Sequence, residues 1–428
     1  MHRRDFSAME QSNQKASSTP QTEGSKQFVK DQQESKSGRI RPWHIAILGG
    51  LGAFGPLATD MYLPSLPMVR HDLGATMAQA QITLSACILG LSLGQVIAGP
   101  MSDAQGRRRP LLIGVAAFVV ASLLCTFAPT IEILTIFRFI QGIAGAAGIS
   151  IALAIASDLY TGTALARSFS LLMMVNALAP ILAPVIGSQL LNFTSWRGVF
   201  IVLTLIGLSF FLATTFGLGE TLPVEHRQKG GIAIILQAFR ELLTDRRFIG
   251  YALSCSLAFA TGIIYISVSP FVLQNVYHLS PQIFGLIFGI NALGLALVAQ
   301  TGSRLVDRVT PYKLMYWGII TSVIGGMILL IAVVSDIGFL GVLIACFIIT
   351  ASLGLIAPNA TTLALSGAKA AGSASALLGV LQFSIGAIFA PLVGLAGSTA
   401  LPMAIAIATF SLATLLTFVL LCRPARTN

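Results

Sequence analysis

Charge is what this 428-residue chain has least of: 10% of its residues are Asp, Glu, Lys or Arg, against 55% hydrophobic. A soluble domain carries about 25% charged residues and needs polar surface to cover its core, so a water-soluble enzyme is excluded. The excess apolar sequence has to meet lipid. Histidine is scarce too. His2, His44, His71, His226 and His278 fall in the N-terminal tail, at the ends of apolar runs or between them, which leaves no buried histidine relay. The cysteines Cys87, Cys125, Cys255, Cys346 and Cys422 form no CxxC pair and have no histidine at metal-ligand spacing. They read as small core residues, not as a disulfide framework or a zinc site. No phosphate-binding loop, nucleophile elbow or HExxH helix occurs, so neither ATP hydrolysis nor enzymatic catalysis has a visible seat, and no cofactor or metal is expected.

What is abundant is apolar sequence, with a mean hydropathy of +0.83, in runs of about 20 residues, the length at which a helix crosses hydrocarbon. Twelve segments lie near 43–67, 79–100, 110–129, 131–157, 167–191, 196–218, 248–274, 282–302, 314–334, 338–362, 372–396 and 400–421. Residues 1–41, rich in Gln, Ser and Lys and without an apolar signal core, read as a disordered tail. The stretch 219–247 carries Glu220, Glu225, Arg227, Lys229, Arg240 and Asp245 among its charges and divides the spans six and six. The fold class expected is an all-α polytopic membrane protein: a bundle at 42–218, a central loop at 219–247, a second bundle at 248–421 and a short tail at 422–428.

The formal charge of +10 is explained by topology and not by nucleic acid, because basic residues resist translocation. Lys30, Lys36, Arg39 and Arg41 share a side with Arg107, Arg108, Arg109, Arg167, the central loop, Arg304, Arg308, Lys313, Lys369, Arg423 and Arg426, against Arg70 and Arg197 on the other. Both termini are therefore expected in the cytoplasm. The halves also repeat weakly. Ala183-Pro184-x-x-Gly187 recurs as Ala390-Pro391-x-x-Gly394, Asp103 as Asp307, and Pro64 as Pro270, all at nearly one offset. This pattern suggests a six-helix duplication with a binding cavity between the halves.

Ionisable residues inside spans are expensive and point to function. Asp60 in segment one and Arg138 in segment four stand apart, each about 10 Å below the outer interface at a rise of about 1.5 Å per residue. Two readings stay open. Asp60 is a proton carrier whose protonation follows access to water, bound substrate and the distance of the Arg138 cation, or the two form a permanent ion pair between spans. Gln141, Asn176, Asn291 and Gln382, with Phe54, Met61, Tyr62 and Tyr265, are candidates for the cavity wall, helix packing being the plain alternative for each. Between segments two and three, Gly99 and Gly106 fit a tight turn, and Asp103 fits a helix cap or a pair with a neighbouring arginine. Arg107 and Arg108 read either as topogenic charge or as part of a latch that breaks when the halves rock. Pro180, Pro184 and Gly187 in segment five allow bending and close packing.

These residues resemble the major facilitator superfamily. Gly99 to Arg108 is similar to its loop signature G-x-L-S-D-R-x-G-R-R, with Met101 for Leu and Ala104 for Arg. Arg138-Phe139-Ile140-Gln141-Gly142 resembles the R-x-x-Q-G motif of its proton-coupled exporters, and Ala179-Pro180-x-x-Ala183-Pro184-x-x-Gly187 resembles its antiporter motif, with Ser188 where a second Gly is usual. Asp60-Met61-Tyr62-Leu63-Pro64-Ser65-Leu66-Pro67 is similar to the D-x-Y-L-P-x-L-P signature of the bicyclomycin and chloramphenicol resistance branch. The resemblance implies a monomer of the bacterial inner membrane that exports small amphipathic drugs by alternating access, driven by protons. Asp60 then matches the coupling acid and Arg138 the coupling arginine. Some relatives carry a second membrane acid where this chain has Gly52, so coupling through Asp60 alone is the simpler scheme. Export of a native metabolite, such as an amino acid or sugar, is the alternative within the class; a sensor or scaffold without transport is the alternative outside it.

Overall fold

A computed structural model describes residues 41–227, 232–366, 371–397 and 399–422. The tail at 1–40, Lys229, Lys369 and the residues beyond Cys422 lie outside them. The described residues form helices and turns, with no strand among them.

The first apolar segment is broken. It consists of α1 (Pro42–Gly52), α2 (Phe54–Asp60), a 3-10 turn over Leu63–Ser65 and α3 (Leu66–Asp72), bent by 41° at the first break. One uninterrupted span to Pro67 was expected. Prolines 64 and 67 lack the N–H that would carry a helix through, so the chain turns and re-enters as a separate helix. Five long helices follow: α4 (Met77–Gln105), α5 (Arg108–Thr126), α6 (Ile131–Leu159), α7 (Gly162–Leu190) and α8 (Trp196–Gly217). Caps set several of these boundaries. Thr76 and Gln79 form a reciprocal capping box at the start of α4, and the Thr130 hydroxyl accepts from the Ile133 N–H at the start of α6.

The stretch read as the central loop contains a short helix, α9 (Ile232–Leu242). The second half then runs α10 (Arg246–Phe271), closed by a π turn over Val272–Val276, α11 (Pro281–Leu305), α12 (Pro311–Val334), α13 (Phe339–Leu365), α14 (Ala371–Leu395) and α15 (Ala400–Leu421). Asp245, Ser280 and Thr310 cap α10, α11 and α12. Eleven single helices are long and apolar enough to cross a membrane, and the bent first pair makes a twelfth span.

An even number of crossings puts Pro42 and Leu421 on one face, here the terminal face; the opposite one is the far face. The core is distributed unequally between them. At the far face one apolar cluster joins both halves, with Met61, Leu63, Leu66 and Leu84 packed into the same body as Ile264, Val268, Phe271 and Phe284. Toward the terminal face the halves have separate cores, one around Phe54, Phe118 and Ile151, the other around Phe248, Tyr251 and Phe418. Glutamine amides fasten the far face. Gln81 donates to the Ser267 carbonyl at 3.3 Å, Gln274 to the Pro64 carbonyl at 3.0 Å, and Gln282 to the Ser188 carbonyl at 3.1 Å.

Candidate functional site

Between the halves, on the terminal-face side of the shared core, lies a cavity of about 390 Å³. Its wall is mostly apolar, with Ile88, Leu91 and Ile149 from the first half facing Phe259, Ile266, Phe288 and Phe383 from the second. Polar groups in the wall are Thr59, Asp60, Gln95, Tyr265, Asn291 and Thr350, and Asp60 is the one carboxylate among the lining residues. It is placed there by the break in span one, which ends α2 at Asp60. The residue is 8% exposed. One carboxylate oxygen accepts the Thr59 hydroxyl at 2.9 Å, a proton that Thr59 also directs toward the Gly55 carbonyl at 3.0 Å. On the opposite wall Asn291 donates its amide to the Tyr265 hydroxyl at 2.5 Å, and the Tyr265 ring stacks on Phe288.

Arg138 takes a different place from the one its depth suggested. It is fully buried outside the cavity wall and is not within ion-pair distance of Asp60; the ion pairs among the described residues lie elsewhere. One guanidinium nitrogen donates to the Ala58 carbonyl at 2.8 Å and to Gln141 Oε1 at 2.5 Å, while the group sits 4.6 Å above the Tyr62 ring and 5.6 Å from Phe200. Its Nε and Nη2 have no hydrogen-bond partner. A carbonyl, an amide and two ring faces therefore hold this cation, an arrangement that cation–π attraction favours when the charge is desolvated. The permanent Asp60–Arg138 pair is excluded in this conformation. The two are coupled through the backbone instead, because the Ala58 carbonyl that Arg138 holds lies two residues before Asp60.

The cavity wall also differs from the expected set. Asp60, Tyr265 and Asn291 line it; Phe54, Met61, Tyr62, Gln141, Asn176 and Gln382 do not. Phe54 stacks on Phe118 in the first-half core, and Met61 belongs to the far-face core. Tyr62 shares a hydrogen bond with Thr83 at 3.0 Å beneath the guanidinium. Gln141 spends both ends of its amide on Arg138 and the Ser122 hydroxyl, and Gln382 donates to Cys255 Sγ at 2.9 Å. Polar groups in lipid-embedded helices satisfy themselves on the nearest neighbour, so those with a partner within the bundle turn away from the cavity.

Segment five reaches both the cavity and the break. Pro180 is in the wall, and Gly187 lies so close to the break in span one that a Cβ there would stand 2.1 Å from the Met61 carbonyl oxygen. The next residue, Ser188, supplies the carbonyl held by Gln282.

At the terminal face the charged signature is only in part a loop. Gly99 and Asp103 lie inside the last turns of α4, so Asp103 caps no helix start, and only Gly106, at φ +94°, makes the turn. Asp103 pairs with the buried Arg107, whose Nε also donates to Asp158 at 2.9 Å and whose Nη1 donates to Ser102 at 2.9 Å. Glu220 completes the network: its carboxylate accepts the backbone N–H groups of Arg107 at 2.8 Å, Arg108 at 3.2 Å, and Thr221 and Leu222 at 3.1 Å each. A Cβ at Gly106 would stand 2.5 Å from Glu220 Oε2, so this turn requires glycine for both φ and space. Arg108 donates to the Thr215 carbonyl at 2.8 Å. All these partners belong to the first half, and Asp158 and Glu220 were not among the latch residues expected. Asp158 ends a span as a lone acid, a visible signal; the role of Glu220 depends on a chain reversal after α8 that no spacing reveals.

Burial works against the Glu220 carboxylate, but the N–H groups aimed at it outweigh burial and hold its pKa below the ordinary value of 4.5. A depressed folded pKa contributes stability that is present above the unfolded value and fades as pH falls through the folded one. Glu220→Gln is therefore expected to lower thermal stability at pH 7 by about 1 kcal/mol, given solvent screening at this exposed site. The gap between variant and wild type should close below about pH 4, and a melting series in detergent from pH 7 to pH 3.5 checks it.

Residues 48–391 match the family model described as Major Facilitator Superfamily. The chain is 41% identical, over 83% of its own length and 90% of the relative's, to the uncharacterized MFS-type transporter YdgK of Bacillus subtilis. It is 30% identical, over 84% and 91%, to the bicyclomycin resistance protein homolog of Haemophilus influenzae. Among solved structures it resembles a mutant form of the nucleoside transporter NupG, with a TM-score of 0.74 at 14% identity over 89% of this chain and 99% of that one. The twelve-span fold, its central cavity and these similarities agree, and the chain belongs to the Major Facilitator Superfamily, whose members include transporters of small molecules.

Proposed function

We propose that the protein is a proton-coupled antiporter that exports small amphipathic compounds of the bicyclomycin and chloramphenicol type from the cytoplasm by alternating access. The observation that carries this reading is the single carboxylate, Asp60, in the wall of an otherwise apolar cavity between the two halves. The resemblance of 60–67 to the resistance branch and the name of the Haemophilus relative support the choice of substrate. With the terminal face in the cytoplasm, as the basic residues argue, the closed far face and divided terminal-face cores describe the state that admits a compound from inside. The chemistry of the wall supplies the coupling. A compound that fills the apolar cavity dehydrates Asp60, so proton and compound compete for one space. The halves reorient with either aboard, and the protein works as a monomer with both termini in the cytoplasm. Residues 42–218 and 248–421 act as the two rocking bundles.

Inside-out vesicles with an acidic lumen test this. Addition of chloramphenicol or bicyclomycin should release lumenal protons, followed with a pH dye, in vesicles carrying wild type and not in those carrying Asp60→Asn. An equal response in both would remove Asp60 from the mechanism, and no response in wild type to either compound would remove this substrate class.

A further inference from the structure

The far-face closure contains a row of side chains whose polar atoms have no use within it. Helix hydroxyls elsewhere in this protein bond back to a carbonyl one turn earlier. In α10 itself Ser254 donates to the Gly250 carbonyl at 2.8 Å and Ser256 to the Ala252 carbonyl at 2.7 Å. Further along the same helix the hydroxyls of Ser267 and Ser269 do not; both are buried without a hydrogen-bond partner, and so are Ser85 Oγ and Gln81 Oε1 on α4. All four residues are at most 4% exposed. They face one seam. Gln81 bridges α4 to α10 through the Ser267 carbonyl, and α14 closes on it at Gly394, where a Cβ would stand 2.1 Å from Gln81 Oε1.

The row leads inward. Ser85 follows Gln81 by one turn on the same face of α4, and Ile88, the next residue of that face, is in the cavity wall with Asp60. On α10, Ser269 stands one turn outside Tyr265, which is in the opposite wall. An unsatisfied buried polar atom costs about 1–3 kcal/mol, and the surrounding far-face cluster is otherwise apolar. Alanine at these positions would close the face better, so the hydroxyls serve a state in which the face is not closed.

We infer that Gln81, Ser85, Ser267 and Ser269 line the path by which protons from the far face reach Asp60. When the halves part there, the hydroxyls and the Gln81 carbonyl oxygen order a file of water between them. A proton added to the outermost water moves along the file by successive exchange, each oxygen taking one proton and passing one on. The only lasting change is at its end, where the Asp60 carboxylate becomes a carboxylic acid. This inference rests on the proton-antiport reading above, and the residues are positioning residues for the proton, not contacts for the exported compound.

The test compares two fluxes in proteoliposomes loaded with chloramphenicol: proton-driven export, and counterflow exchange of labelled for unlabelled compound, which opens and closes the same face but moves no proton. Ser85→Ala/Ser267→Ala/Ser269→Ala should slow proton-driven export by at least about tenfold and leave counterflow within about twofold of wild type. The triple threonine variant, which keeps each hydroxyl, should recover most of the export rate. Unchanged export in the alanine variant would overturn the path, and an equal loss of both fluxes would reduce the serines to gate packing. Asp60→Asn, run beside them, separates the two levels. If it loses export while the alanine variant keeps it, only the path fails; if it keeps export, the antiport reading fails and takes the path with it.

Discussion

Asp60→Asn should abolish uphill export while sparing downhill flux: in vesicles holding a pH gradient, the steady-state accumulation ratio of the compound falls to about one. Asparagine preserves the shape of the side chain and its capacity to accept from Thr59, so the break that ends α2 keeps its partners. What it removes is the ability to exist in two charge states. Every other polar group in the cavity wall, Thr59, Gln95, Tyr265, Asn291 and Thr350, is neutral at working pH, so no second group in the wall can take over. Asp60→Glu keeps the charge but pushes the carboxylate about 1.5 Å further into the cavity; a reduced but nonzero accumulation ratio is expected. Counterflow provides the internal control, since it requires compound and reorientation alone. If the asparagine variant still concentrates compound against its gradient, the proton is carried by a different group.

Gly187→Val should be the most damaging single substitution within the helices. Its Cβ would lie 2.1 Å from the carbonyl oxygen of Met61, and the obstacle is backbone, which cannot rotate away as a side chain would. Overpacking that side chains absorb costs about 1–3 kcal/mol; here the relief has to come from separating span five from the break in span one. That movement drags Asp60 away from its present position and strains the Gln282 contact at the neighbouring Ser188. The melting temperature in detergent should fall, and proton-driven export should fall by at least about tenfold even at a temperature where the variant is folded. Gly99→Val is the matched control, because a Cβ at Gly99 meets nothing within 4 Å; apart from a modest change in helix propensity, it should leave both properties near wild type.

Much of the fold was legible because a long apolar run has little choice in lipid: the backbone must satisfy itself, and a helix does so. From span two onward the helices begin and end close to the expected boundaries. The breaks in span one were not legible, since Leu63 and Leu66 are as apolar as a continuous helix would want and the interruption is set by where Pro64 and Pro67 sit against span five. Helix α9 was hidden for a similar reason: a short amphipathic turn inside a charged stretch averages out as polar. In the site, Asp60 stood out because a lone acid in hydrocarbon is hard to justify otherwise. Its surroundings were misread because polarity was taken to mark the cavity. Gln141, Gln382 and Tyr62 instead bond to Ser122, Cys255 and Thr83, and the wall is built largely from isoleucine and phenylalanine, indistinguishable in sequence from those that face lipid.

The isolation of Arg138 from any carboxylate has an electrical consequence. Its charge is fixed in the interior of the first half, and Asp60 is the variable one. With Asp60 ionised the two cancel, and the interior crosses the membrane field as a neutral body carrying its uncharged compound. With Asp60 protonated the same interior bears a net positive charge and is drawn toward the negative side, at about 2.3 kcal/mol per 100 mV if the whole voltage is traversed. Membrane potential therefore acts on the proton-carrying leg of the cycle alone, and the leg that carries the compound outward is electrically silent.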